Sequence, residues 1–254
     1  MIYPELVHDL LGSKSLKIIQ RDDLFKLSLD AILLSDFVRV NPRTKKIIDL
    51  GSGLGPIPLL LTEKTKAKII GLEINPEQCL LSQKSVVINN LSEQIEIIQD
   101  DIRVVHSRFE PSSFDLAVCN PPFHKFGEGA IVSDNPTLKA ARHEQTIDFL
   151  TLAIQAKRLL RTKGAFTFVH RAARLDEIFV ILDNLGYAVK RMRFVHSKKK
   201  QNALMVLIEA TAGGQKGDLK VLPPLVVHDE KGNYTKQLKK ILMIETGDVN
   251  DQTF

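Results

Sequence analysis

The chain is poor in the features that mark membrane, secreted or metal-dependent proteins. No stretch of its 254 residues reaches the roughly 18 consecutive apolar residues of a membrane helix, and no charged-then-apolar leader opens it. Both absences predict a cytoplasmic protein with no membrane partner. There are only two cysteines, Cys79 and Cys119. Their spacing matches no zinc or redox pattern, so both read as small core residues. His8, His106, His170, His196 and His228 show no ligand spacing, and no metal is expected. No internal repeat or low-complexity stretch occurs. No Ser/His/Asp or Cys/His set of the kind nucleophilic catalysis uses is evident either. Charge of one sign is nearly balanced: 35 Lys+Arg against 30 Asp+Glu, a net +5. That mild excess permits an anionic partner such as RNA without demanding one.

What is present is an alternation of strands and helices, with a hydrophobic share of 44% that supports a full core. Leu16–Gln20 and Leu24–Ser28 flank the polar turn Arg21-Asp22-Asp23, which predicts an N-terminal hairpin. Ser28 then reads as an N-cap, with Leu29, Ile32, Leu33, Phe37 and Val40 following at helical spacing to Asn41-Pro42. Strands are expected at Ile47–Leu50, Lys68–Glu73, Gln94–Gln99, Asp115–Cys119 and Ala165–Val169. Helices are expected from Pro56, from Pro76 behind an Asn75 cap, over Gln145–Arg161 to a stop at Lys163-Gly164, and over Arg174–Leu185, closed by Gly186. Leu80, Val87 and Leu91 should share one face of the second of these, and Ile147, Leu150 and Ile154 one side of the third. Tyr187–Val195 and Ala203–Ala210 have no helix between them and should pair antiparallel.

This pattern means βαβ units and a doubly wound, mostly parallel α/β sheet. About seven strands ending in an antiparallel hairpin is the class I methyltransferase arrangement, a Rossmann-like fold distinct from the six-stranded dinucleotide fold. After a loop at Ala212–Gly217, the tail to Met243 reads as a strand, a Gly232-Asn233 turn and a short helix. The chain is read as one domain, 1–254. It has an N-terminal hairpin and helix (1–44), a catalytic core (45–210) and a C-terminal extension (211–254). A monomer is favoured.

Two constellations carry chemistry. Asn120-Pro121-Pro122-Phe123 follow the strand Asp115–Cys119, and two prolines cannot continue a ladder. The strand stops, and a stiff loop holds an amide beside an aromatic ring. The Asn120 side-chain oxygen and the Pro121 carbonyl can accept from the hydrogens of a planar –NH2 group. Pro122 stiffens the loop, and Phe123 stacks on the plane. Alternatively, the four residues are a strand end with a rigid turn. The second constellation is Asp49-Leu50-Gly51-Ser52-Gly53-Leu54-Gly55, between a strand and a helix. Gly51, Gly53 and Gly55 let the backbone approach a ligand, and Asp49 can meet an ammonium group. Glu73, about 20 residues on and followed by Ile74, is placed for two ribose hydroxyls. Asp101 can accept from an adenine amino group, with Ile102 on the ring, or can cap a helix. These acids suit S-adenosylmethionine, whose sulfonium and ammonium are cationic, better than a pyrophosphate. His124 and Lys125 could touch a base or phosphate, or lie on a loop surface. Lys190, Arg191, Arg193, Lys198, Lys199 and Lys200 cluster around the last hairpin, as a solvated edge or as phosphate contacts.

The Asp49–Gly55 loop, Glu73, Asp101 and Asn120–Phe123 resemble the amino-group-specific class I methyltransferases. Phe25–Leu34, Ala141-Arg142-His143-Glu144 and the tail Pro223–Val227 with Gly232–Thr235 narrow the resemblance. Together they are similar to the tRNA1(Val) adenine methyltransferase family, especially its Gram-positive-type branch, over roughly Leu16 to Leu242. The resemblance implies methylation of the 6-amino group of the adenine at position 37, next to the anticodon, of tRNA-Val. It also puts Asp30 near the methionine end of the cofactor and Arg142 near the site. Asn-Pro-Pro-Phe followed by His124 also resembles ribosomal-RNA guanine 2-amino methyltransferases. The same four residues occur in enzymes that methylate a glutamine amide of release factors. A methyltransferase-like fold serving only to bind RNA is the non-enzymatic alternative, and the intact acids argue against it.

Overall fold

A computed structural model describes residues 3–24, 26–121 and 147–244 of the chain. Pro122, Phe123, His124, Lys125 and Arg142 lie outside the described residues, as do Phe25, the Gly127–Pro136 loop and the expected first turn of the Gln145–Arg161 helix.

Strands β3 (Lys46–Leu50), β4 (Lys68–Glu73), β5 (Ile95–Gln99), β6 (Phe114–Cys119) and β7 (Leu160–Arg171) pair parallel in the order β5-β4-β3-β6-β7. Next to β7, β9 (Ala203–Ala212) is antiparallel to it and to β8 (Tyr187–Lys198). These are the seven expected strands, with the expected antiparallel hairpin. The tail extends the sheet to nine strands: β10 (Lys220–Val221) and β11 (Leu225–His228) both pair parallel with β8. The central strands read as continuous apolar runs because both faces are covered. On one face Ile47, Leu116, Val118 and Leu207 pack with α1 (Leu29–Phe37), α2 (Pro56–Leu61), α3 (Pro76–Ile88) and α6 (Lys236–Leu242). On the other face Ile48, Ala117, Phe166 and Phe168 pack with α4 (Phe149–Leu159) and α5 (Leu175–Asn184).

Three expectations need correction. The N-terminal hairpin pairs β2 (Lys17–Gln20) with the upstream β1 (Leu6–Asp9), not with Leu24–Ser28. The turn at Arg21 is real but is held by side chains: Arg21 is ion-paired to Asp23 at 2.5 Å, and Leu27 N–H donates to Gln20 Oε1. On α3, Leu80 (51% exposed) and Val87 (62%) face outward. The buried face carries Gln78, Cys79, Leu81, Ser82, Ser85 and Val86. Of its polar groups Ser85 serves neighbouring backbone, its Oγ accepting from Ile19 N–H and donating to the Leu81 carbonyl, both at 2.9 Å, whereas Gln78 Nε2 and Ser82 Oγ have no hydrogen-bond partner among the described residues. On α4, Leu150 and Ile154 are likewise exposed. The buried side is Phe149, Leu152, Ala153, Ala156 and Leu159, and the helix stops at Leu159 rather than at Lys163-Gly164. A register shift between Phe114 and Leu116 absorbs the extra residues of β7, with Lys163 at φ 66°.

The parallel registers put the C-terminal ends of β3 to β8, β9 excepted, on one edge of the sheet. In open α/β sheets that edge is where ligands bind.

Candidate active site

The loop after β3 is fastened tightly. The N–H groups of Gly51 and Ser52 both donate to the Leu72 carbonyl of β4, at 2.9 and 2.7 Å. Gly51, Gly53 and Gly55 have φ of 79°, 56° and 80°, the left-handed region that side chains resist. At Gly55 space is closed as well, since a Cβ would lie 2.2 Å from Ser82 Oγ. Gly55 is the N-cap of α2, and Pro56 occupies its first turn as expected.

Two acids, Asp49 and Glu73, meet at this loop. Asp49 is completely buried, and neither carboxylate oxygen has a partner among the described residues. Burial, reinforced by the nearby charge of Glu73, pushes its pKa well above the ordinary carboxylate value. Glu73 bridges loop and helix: Oε2 accepts from Gly53 N–H at 2.7 Å and Oε1 from Asn75 N–H at 2.8 Å. Burial raises its pKa too, although these backbone donors oppose the shift. Asp30, in the first turn of α1, is raised by burial. An orphaned buried carboxylate is costly unless a cationic or donating ligand meets it. Asp49 therefore fits the ammonium of S-adenosylmethionine, and the open glycine backbone beside Glu73 fits a ribose.

Asp101 follows β5 and caps a short 3-10 helix, accepting from Arg103 N–H at 2.8 Å; it is also ion-paired to the Arg103 guanidinium at 2.6 Å. The hydrogen bond from the Arg103 guanidinium, above all, holds its carboxyl below the usual range. Its capping role is thus visible, and the adenine contact would use what lone pairs Arg103 leaves. Asp100 is paired with Arg108. Ile102 lies across from Gly51, 3.8 Å from where a Cβ would stand.

At the end of β6, Asn120 is half-buried and Pro121 buried. Cys119 Sγ donates to the Leu50 carbonyl at 2.8 Å, tying the loop root to the cofactor-side strand. The Asn120 Nδ2 donates to Ser28 Oγ at 3.4 Å, which brings the loop against the start of α1. Sequence reasoning assigned Ser28 only a capping role. Lys64 fastens the far end of α1 by donating from Nζ to the Ser35, Asp36 and Val38 carbonyls at 2.5, 2.8 and 3.1 Å.

The basic cluster at the last hairpin divides. Arg191 is 6% exposed, pairs with Glu209 at 2.7 Å and stacks 4.0 Å over the Phe37 ring, so it is structural rather than an RNA contact. Lys190 and Arg193 hold backbone carbonyls of the extension, at Gly217 and Pro223. Lys198, Lys199 and Lys200 are exposed, at the turn on the site edge of the sheet. Arg171, at the same edge on β7, is exposed as well and was missed. Among the described residues, no group of three or more His, Cys, Asp or Glu could hold a metal ion, and no helix is long and apolar enough to cross a membrane.

Comparison with solved structures decides the architecture. A predicted O-methyltransferase from Agrobacterium tumefaciens superposes with a TM-score of 0.65 at 18% identity, over 87% of this chain and 100% of that one. This is the class I methyltransferase fold. A 16S rRNA N2 methyltransferase from Thermus thermophilus, solved with AdoMet and guanosine, gives 0.58 at 21% identity over 83% of this chain and 51% of that one. The Methyltransferase small domain model matches residues 30–133, the stretch from Asp30 through the Asn120 loop. Among curated relatives, a tRNA1(Val) (adenine(37)-N6)-methyltransferase of Shewanella sediminis is 22% identical over 85% of this chain and 90% of its own length. Its counterpart in Phocaeicola vulgatus is 26% identical over 72% and 75%. Fold and family model together support a methyltransferase that uses S-adenosylmethionine.

Proposed function

We propose that the chain transfers a methyl group from S-adenosylmethionine to the 6-amino group of an adenine in tRNA, at position 37 of tRNA-Val. One observation carries the reading. A fully buried Asp49, unpartnered among the described residues, and the Gly53-bound Glu73 lie on the same sheet edge as Asn120. Bound there, S-adenosylmethionine would supply an electrophilic methyl group. An exocyclic amine has its lone pair delocalised into the ring, so alignment is the main requirement. Asn120 Oδ1 and the Pro121 carbonyl accept from the two amine hydrogens, favouring a pyramidal nitrogen aimed at the methyl. No general base is needed before attack, since the proton can leave afterwards.

The finer specificity is supported by the names of the relatives and by the flanking motifs. Arg171 and Lys198–Lys200 sit on the site edge and would contact phosphates of the anticodon arm. The β8 end is three strand spacings from β6, about 14 Å. The His124 that follows Phe123 keeps a guanine 2-amino group as the second reading. The test is Asn120→Ala. Methyl transfer to tRNA should fall by about 10²–10³-fold while the cofactor dissociation constant stays within about twofold. Equal collapse of cofactor binding would remove the amine-holding role.

A further inference from the structure

We propose that Ser28 is a positioning residue for the acceptor: its hydroxyl, itself held at the start of α1, fastens the Asn120 side-chain amide in place for the substrate amine. The inference rests on the reading of Asn120 given above and adds a residue to it. Ser28 Oγ stands where two distant elements meet. It caps α1 by accepting from Ala31 N–H at 3.4 Å, and it accepts from Asn120 Nδ2 at 3.4 Å.

An asparagine amide has a donor end and an acceptor end of nearly the same shape. A loop that must accept from an –NH2 group needs that amide held still. An amide free to turn would at times point its own two N–H groups at the substrate's, and no hydrogen bond could form. Ser28 supplies an anchor because the backbone donor of Ala31 holds its oxygen in place, with a lone pair left for Nδ2. The oxygen inherits the placement of α1, whose other end is anchored by Lys64 on three carbonyls. Pro121, buried and with a fixed φ, stiffens the backbone that follows Asn120. The placement of the catalytic amide is therefore tied to a helix 92 residues away in sequence.

Three variants, read by melting temperature, single-turnover rate and the two binding parameters, test this. Ser28→Gly removes the acceptor, yet glycine caps a helix almost as well as serine, so the melting temperature should stay within about 2 °C. Single-turnover methyl transfer should fall by about 10–100-fold, with the tRNA KM and the cofactor dissociation constant unchanged. Ser28→Thr, which keeps the oxygen, should restore the rate. In an Asn120→Ala background Ser28→Gly should cost nothing further, because the amide it fastens is gone. Wild-type turnover in Ser28→Gly, or the same loss with and without Asn120, would overturn the proposal. If the wild-type protein methylates no amine acceptor, it is instead the reading of Asn120 that fails.

Discussion

Replacing Asp49 with asparagine should strengthen the fold and weaken cofactor binding at once. Asp49 is fully buried on β3, with both carboxylate oxygens unpartnered among the described residues and with Glu73 close enough to raise its pKa further. The cofactor-free protein therefore carries a group that is unfavourable either ionised or protonated. Asparagine has the same shape and removes the repulsion from Glu73, while leaving an amide to be satisfied. The net gain is about 1–2 kcal/mol, or ~2–8 °C in Tm for a chain of this size. Cofactor binding moves the other way. A carboxylate ~4 Å from an ammonium contributes about 4 kcal/mol at an effective dielectric of ~20, which is roughly 10³-fold in Kd. A bridging water would reduce this toward tenfold. Thermal melts of the free protein and titration calorimetry with S-adenosylmethionine read the two effects separately. A D49N protein that melts lower and binds the cofactor as before would refute the reasoning, because Asp49 would then be a scaffold residue.

Other consequences are as direct. Asp30, Asp49 and Glu73 all have raised pKa values, so the native chain holds more protons than the unfolded one between the ordinary carboxylate value and the raised ones. Their contribution to stability falls as pH rises through that window. A cationic cofactor favours the ionised acids, so its affinity should rise with pH there and binding should release protons; calorimetry in buffers of different ionisation enthalpy would contradict this by showing uptake. Gly55→Ala meets both a φ of 80° and Ser82 Oγ at 2.2 Å, and should cost about 3 kcal/mol or more. Adding Ser82→Ala should recover the steric share in urea melts and leave the backbone share. Replacing Lys198, Lys199 and Lys200 together by alanine should lower the slope of log K against log salt for tRNA by about 2–3, with cofactor affinity unchanged; an unaltered slope would remove them from the interface.

The fold was legible wherever burial imposed a period. Ile47–Leu50, Lys68–Glu73 and Asp115–Cys119 lie in the covered middle of the sheet and read as short, mostly apolar runs interrupted only by single charged residues, so they matched strands β3, β4 and β6. The helix starts at Ser28, Asn75 and Pro56 were legible because caps and first turns need particular residue types. The β1 partner was not, since Leu6–Asp9 is exposed throughout and carries no alternation. The face of α3 was misread for a related reason. Its buried Ser85 bonds the β2 edge and its buried Ser82 packs against Gly55, so polarity there reports a close fit to neighbouring backbone rather than solvent. Arg191 looked like one of a basic run, but its partners Phe37 and Glu209 are brought to it only by the sheet. The acids and the Asn120 loop were legible as a motif. Their linkage through Ser28 was not, because it joins elements that only tertiary structure brings together.

The central claim is amine methylation of an adenine in tRNA. It is tested most directly by incubating the protein with methyl-labelled S-adenosylmethionine and, in parallel, tRNA lacking the modification, ribosomal RNA and a release factor, then digesting the products to nucleosides or amino acids. The label should appear in tRNA alone, as N6-methyladenosine at position 37. Label in 2-methylguanosine or in a methylated glutamine would contradict the account.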